Sequence, residues 1–226
     1  MKQIALVILM MSCLASTQAQ DVSLKGKWML GGSIGYASED NQSRSPTSVG
    51  TNDQSNSFTF HPMVGYFIND SWQVGIKGIF AQLNGKSQSI GTIKTSGTSR
   101  GVELYLRHYT WMFDHFAFFV EGGARYVKNN QVQENTAPFL IYPPIITRQE
   151  TGSSQVGVYL QPGFTLLINK RIGVDFTTNL FSIIRDEGDY YDQPSDSRRS
   201  YKRFTAQLAN FSSLLNNVQI GITLFI

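Results

Sequence analysis

The feature that most narrows what this chain can fold into is an alternation of period two that recurs along most of its length. From Lys27 to Ala37, Trp28, Leu30, Ile34 and Tyr36 share one face and Lys27, Met29, Gly31, Ser33 and Gly35 the other. The next apolar sets are Phe58, Phe60, Pro62, Val64, Tyr66 and Ile68, then Trp72, Val74, Ile76 and Phe80, each against small or polar neighbours. Val102, Leu104 and Leu106 follow, then Phe118, Val120, Ala124 and Tyr126, then Val156, Val158, Leu160, Phe164, Leu166 and Ile168. Ile172, Val174, Phe176 and Leu180 make a seventh set, and Val218, Ile220, Ile222, Leu224 and Ile226 an eighth. Side chains that alternate this way belong to strands with one oily and one small or polar face.

The connections alternate too. Asn69-Asp70, Asp114-His115 and Asn169-Lys170-Arg171 are tight, whereas roughly residues 38 to 56, 84 to 99, 128 to 152 and 186 to 204 are long and mostly polar. A soluble sandwich has no reason to gather its long loops at one end; a transmembrane barrel has short turns on one side and long loops on the other. In hydrocarbon every backbone N–H and C=O needs an internal partner, so only helices or closed barrels cross. No segment has the roughly twenty apolar residues a spanning helix needs. The expected fold is therefore all-β, an eight-stranded antiparallel up-and-down transmembrane β-barrel with its oily face outward. Phe67, Trp72, Phe113 and Phe116, beside the short turns, are the expected aromatic girdle. Pro62 and Pro162 interrupt proposed strands, so each predicts a bulge or a broken ladder.

The N-terminus reads differently. Lys2, the apolar run Ile4 to Leu14 and Thr17-Gln18-Ala19 have the layout of a secretory signal peptide over residues 1–19, leaving a barrel domain over 20–226. Cys13, the only cysteine, falls in the apolar run of that segment, and Met10-Met11-Ser12-Cys13 is a poor lipidation box. The expected mature chain has no thiol for a disulfide or metal site. A net charge of +3 does not argue for nucleic acid.

The inward charges are Lys77, Glu103, Arg107, Glu121, Arg125 and Asp175. Isolated charges in a narrow lumen would be costly, so three bases beside three acids predict a network of ion pairs. An eight-stranded barrel is just wide enough for side chains to fill. No catalytic residues are expected: His61 is an inward lumen histidine, His108 faces outward, His115 lies in a turn, and nothing forms a phosphate loop. No cofactor or metal is expected either. Candidate partner contacts lie in the connections: Tyr142 within the oily stretch 137–146, and Tyr190, Tyr191, Arg198 and Arg199 in the fourth, where arginine suits phosphate oxygens.

Residues 62 to 67, PMVGYF, followed by INDSWQVG, resemble a hairpin of the outer-membrane protein β-barrel family, the small porin-like barrels akin to outer membrane proteins A and X. Gln161-Pro162-Gly163-Phe164 is similar to a later strand of that family, and Leu106-Arg107-His108-Tyr109 to its Arg-Tyr-Tyr segment with His in place of the first Tyr. The resemblance implies an outer-membrane location with both termini in the periplasm, a monomer among outer-membrane lipids and lipopolysaccharide, and handling by the barrel-assembly machinery during biogenesis. Such barrels end in an aromatic residue, whereas this chain ends Leu224-Phe225-Ile226, with Phe225 inward unless the register slips by one. The expected function is a structural or surface-interaction role, adhesion or envelope integrity, through the loops. The alternative is a porin or transporter for small or hydrophobic solutes through the lumen.

Overall fold

The computed structural model describes residues 23–45, 48–88, 91–113, 115–136, 146–193, 196–209 and 218–226. The expected signal peptide, Tyr142 and residues 137–145 lie outside them.

Ten strand elements build the wall: β1 (Trp28–Ser45), β2 (Ser48–Phe67), β3 (Trp72–Gln88), β4 (Thr92–Phe113), β5 (Phe116–Thr136), β6 (Ile146–Leu167), β7 (Ile172–Thr177), β8 (Phe181–Asp192), β9 (Ser197–Leu208) and β10 (Gln219–Phe225). β7 and β8 both pair with β6 and form the two halves of the seventh wall strand. β9 pairs with β8 and β10 with β7, so these two make the eighth. All neighbours are antiparallel, and β10 pairs with β1 to close an eight-stranded barrel.

The outer wall is the oily one. Ile34, Ile76, Leu104, Val156 and Ile222 are all more than half exposed, which water would penalise and hydrocarbon rewards. Phe67, expected in the girdle, is instead fully buried inside, because the inward face of β2 carries the odd-numbered Met63, Gly65 and Phe67. Trp72 and Phe113 do lie exposed beside the short turns.

The four connections read as long loops are mostly strand. β1 and β2, β3 and β4, β5 and β6, and β8 and β9 continue as hairpins well past the apolar band. There both faces are wet, so Ser, Thr, Asn and Gln occupy outward and inward positions alike and the alternation that marks a strand disappears. The seventh wall strand also breaks after Thr177 rather than running to Leu180, and resumes at Phe181.

Both prolines act as their missing N–H requires. The β2–β3 ladder passes from Phe60↔Phe80 to Met63↔Lys77 without pairing at His61 or Pro62. Opposite Pro162, the register against β6 steps by one residue between Gly163↔Thr177 and Leu160↔Phe181, and the Thr178 N–H donates to the Pro162 carbonyl at 3.1 Å. The C-terminal register does not slip: Phe225 is buried opposite Met29, while Ile226 points outward.

Closure is uneven. β1 pairs with β10 only from Met29↔Phe225 to Ser33↔Gly221, yet with β2 almost to its end. Among the described residues, β9 pairs with β8 alone and the upper part of β1 with β2 alone, so neither strand's second edge is laddered there.

Candidate functional site

The lumen is built in two storeys. Nearest the short turns lies an apolar layer in which Leu24, Met29, Phe67, Tyr109, Trp111, Phe119 and Phe225 are all buried. Phe67 packs against Tyr109 at 5.4 Å and Phe225 at 5.9 Å between ring centroids, and Tyr109 against Phe119 at 5.5 Å. Tilted rings at these separations are favourable pairs. Glycines make room for such bulk: a Cβ on Gly163 would lie 2.5 Å from Phe119 Cζ, and one on Gly75 would overlap the Tyr105 ring.

Leu24 closes this layer from below. Its backbone N–H donates to Asp70 Oδ1 at 2.7 Å, and that of Lys25 donates to the same oxygen at 3.0 Å, so the β2–β3 turn latches the N-terminal segment across the mouth. The Lys25 N–H, and then that of Leu24, favour the ionised carboxyl and hold the Asp70 pKa below its ordinary value. A lowered folded-state pKa means stability that is present above the unfolded value of about 3.9 and is lost as pH falls through the folded one. The Leu24 and Lys25 amide proton shifts are therefore expected to titrate together with a midpoint below about 3.9, and to stop titrating in Asp70→Asn. A midpoint at or above the ordinary carboxylate value would refute the latch.

Above the apolar layer sits the ionic one. β4 turns every second residue inward, which stacks Glu103, Tyr105, Arg107 and Tyr109 along one line. Arg107 lies opposite Glu121 in register; its Nε donates to Glu121 Oε2 at 3.0 Å and its Nη2 approaches the same oxygen at 2.8 Å. Arg107 Nη1 reaches Asp175 Oδ2 across the lumen and the hydroxyl of Tyr109 on its own strand, each at 2.8 Å. Glu121 Oε1 accepts from Lys77 and, at 3.0 Å, from the Tyr159 hydroxyl, while Asp175 Oδ1 accepts from Thr165 Oγ1 at 2.7 Å. The guanidinium also rests 3.9 Å from the Phe119 ring centroid, which joins the two storeys.

Of the six charges expected to pair, Lys77, Arg107, Glu121 and Asp175 thus form one network. Glu103 and Arg125 face each other across the β4–β5 ladder but line a cavity above it. Lys77, though opposite Glu103 in register, leans to Glu121 instead. Gln73, Tyr105, Tyr109 and Tyr159 belong to the same interior and were not singled out as a group from sequence; their inward parity was the available signal.

Over the ionic layer lies a polar cavity of about 300 Å³ bordered by Ser33, His61, Lys77, Glu103, Arg125 and Gln161. Ser33 Oγ and His61 Nδ1 are 3.4 Å apart, a long contact. A second cavity of about 390 Å³, lined by Asn129, Gln155, Tyr201, Asp186 and Arg203, continues towards the long hairpins. Among the described residues, no three His, Cys, Asp or Glu side chains gather where a metal could sit.

The fourth-connection residues lie on strands. Tyr190 opposes Arg199 and Tyr191 opposes Arg198 in the β8–β9 hairpin. Arg198 donates to Asp189 at 2.8 Å and the Tyr191 hydroxyl to Asp196 at 3.1 Å.

A closed antiparallel barrel with an apolar outer wall and a filled polar interior is the architecture of an integral outer-membrane protein. The chain belongs to the outer membrane protein beta-barrel domain family, which matches it over residues 5–198. Among solved structures, the outer membrane protein OprG from Pseudomonas aeruginosa is similar over 89% of this chain and 96% of that one, at 11% identity and a TM-score of 0.45, too loose a likeness to carry an argument. No curated protein matches the chain.

Proposed function

We propose that this protein is a non-conducting barrel whose lumen is sealed near the short turns and whose long hairpins act at the cell surface, in adhesion or envelope integrity, with the short turns and both termini in the periplasm. The observation that supports it is the continuous cross-section of Phe67, Tyr109, Phe119, Arg107 and Glu121, none more than 1% exposed. A solute would have to unpack an aromatic layer and break a fully buried ion network to pass. The lumen is then a cup open only towards the long hairpins.

A second reading, a porin or transporter for small solutes, draws support from the two polar cavities above the seal. Single-channel recording of the folded mature protein in planar bilayers separates the two, with heat-modifiable gel migration as the check on folding. The expected result is no steady current. Salt-dependent conductance from folded protein would reject the sealed barrel and favour the transporter.

A further inference from the structure

The outer wall carries an unpaired cation pair that the sealed-lumen reading does not use. Arg100 on β4 and Lys128 on β5 are directly opposite in register, and both are exposed on the lipid-facing side. Side chains so placed have Cβ atoms about 5 Å apart, and like charges there repel. Neither makes an ion pair or a side-chain hydrogen bond with another described residue. Their register neighbours on the outer strands are Phe80 and Ser154, and the residues two along each strand are Thr98, Val102, Tyr126 and Asn130, with no carboxylate among them. Glu187, one strand beyond Ser154, is already held by Arg185 and Lys202.

The position of the pair is as informative as its charge. Below Arg100 the outward residues of β4 are Val102, Leu104 and Leu106, and below Lys128 those of β5 are Tyr126 and Ala124; above them come Thr98 and Asn130. The pair therefore marks the upper rim of the apolar band, where headgroups lie. A hollow of about 440 Å³ opens there, bordered by Thr98, Arg100, Val102, Tyr126, Lys128 and Asn130.

We propose that this hollow binds the phosphomonoester of a phosphorylated membrane lipid, as distinct from the phosphodiester of a zwitterionic one, in the leaflet on the long-hairpin side. The guanidinium supplies parallel N–H donors to two phosphate oxygens and the ammonium a second charge. The Thr98 hydroxyl and the Asn130 amide stand at the upper margin to donate further. Acyl chains run down Val102, Leu104 and Tyr126, and this continuity with the hydrocarbon-facing wall points to a lipid rather than a free anion. The site rests on the family's outer-membrane placement, and the state of the lumen does not bear on it.

The test uses the mature protein folded in zwitterionic nanodiscs and titrated with diphosphoryl lipid A, its dephosphorylated form and inorganic phosphate. The variant is Arg100→Gln with Lys128→Gln, and the control Lys86→Gln with Lys94→Gln removes the same charge higher on the wall. Diphosphoryl lipid A is expected to bind the native protein and the control alike, and the Arg100/Lys128 variant at least tenfold more weakly. With the repulsion gone, that variant is also expected to be no less stable than the native protein in lipid lacking net charge. Lys128→Gln alone serves if the double variant does not fold. Equal binding of the dephosphorylated lipid, an equal loss in the control, or full competition by inorganic phosphate at the same concentration would overturn the assignment. Conductance is not a readout here, so failure of this site and failure of the sealed lumen are told apart.

Discussion

Arg107→Ala is expected to lower the unfolding free energy of the barrel by about 3–5 kcal/mol, since removing one member of a buried ion network strands the others. Two carboxylates, Glu121 and Asp175, converge on this one guanidinium, and all three side chains are at most 3% exposed. Lys77 can still neutralise Glu121, but among the described residues Asp175 would keep only the Thr165 hydroxyl as a hydrogen-bond partner. Arg107→Lys should recover only part of the loss, because an ammonium cannot fork to both acids and the Tyr109 hydroxyl. Urea unfolding of protein folded in lipid vesicles, followed by tryptophan fluorescence, measures the difference. A loss under about 1 kcal/mol, the size of a surface pair, would mean the network is hydrated and the lumen open to water.

The second large effect is expected at Phe119. Truncating a fully buried Phe to Ala typically costs about 3–5 kcal/mol, through lost burial and the cavity left behind. This ring has no exposed surface, packs on Tyr109 and supports the Arg107 guanidinium. The loss should therefore couple to Arg107: the double variant is expected to fall short of the sum of the singles by about 0.5–3 kcal/mol, the range for residues in contact. Additive losses would show that the apolar and ionic storeys are independent.

Much of this was legible in the chain. Parity placed nearly every outward residue and the lumen charges inward, because the side-chain period of a strand leaves no third choice, but it left Phe225 open to a one-residue slip that only the β1–β10 pairing excludes. The prolines marked their own interruptions, since a missing N–H must show in the ladder. What failed had physical causes. Phe67 sits beside a turn, where a girdle residue is expected, but its odd position on β2 decides its side. The hairpins beyond the apolar band look like loops in the sequence because water on both faces erases the pattern. Which carboxylate each base chose was not legible at all. Lys77 faces Glu103 in register and reaches Glu121, two strands along the wall, instead.

The uneven closure has a mechanical consequence. Five register pairs, Met29↔Phe225 to Ser33↔Gly221, complete the circumference near the short turns, and above them the edges of β1 and β9 share no ladder among the described residues. The lower wall is a hoop and the upper wall a spring clip. A hoop has a bore fixed by its circumference, whereas the bore of a clip depends on what presses on its ends. Where the ladder runs unbroken, strand number and stagger set the bore; between the described parts of β1 and β9 no ladder sets it.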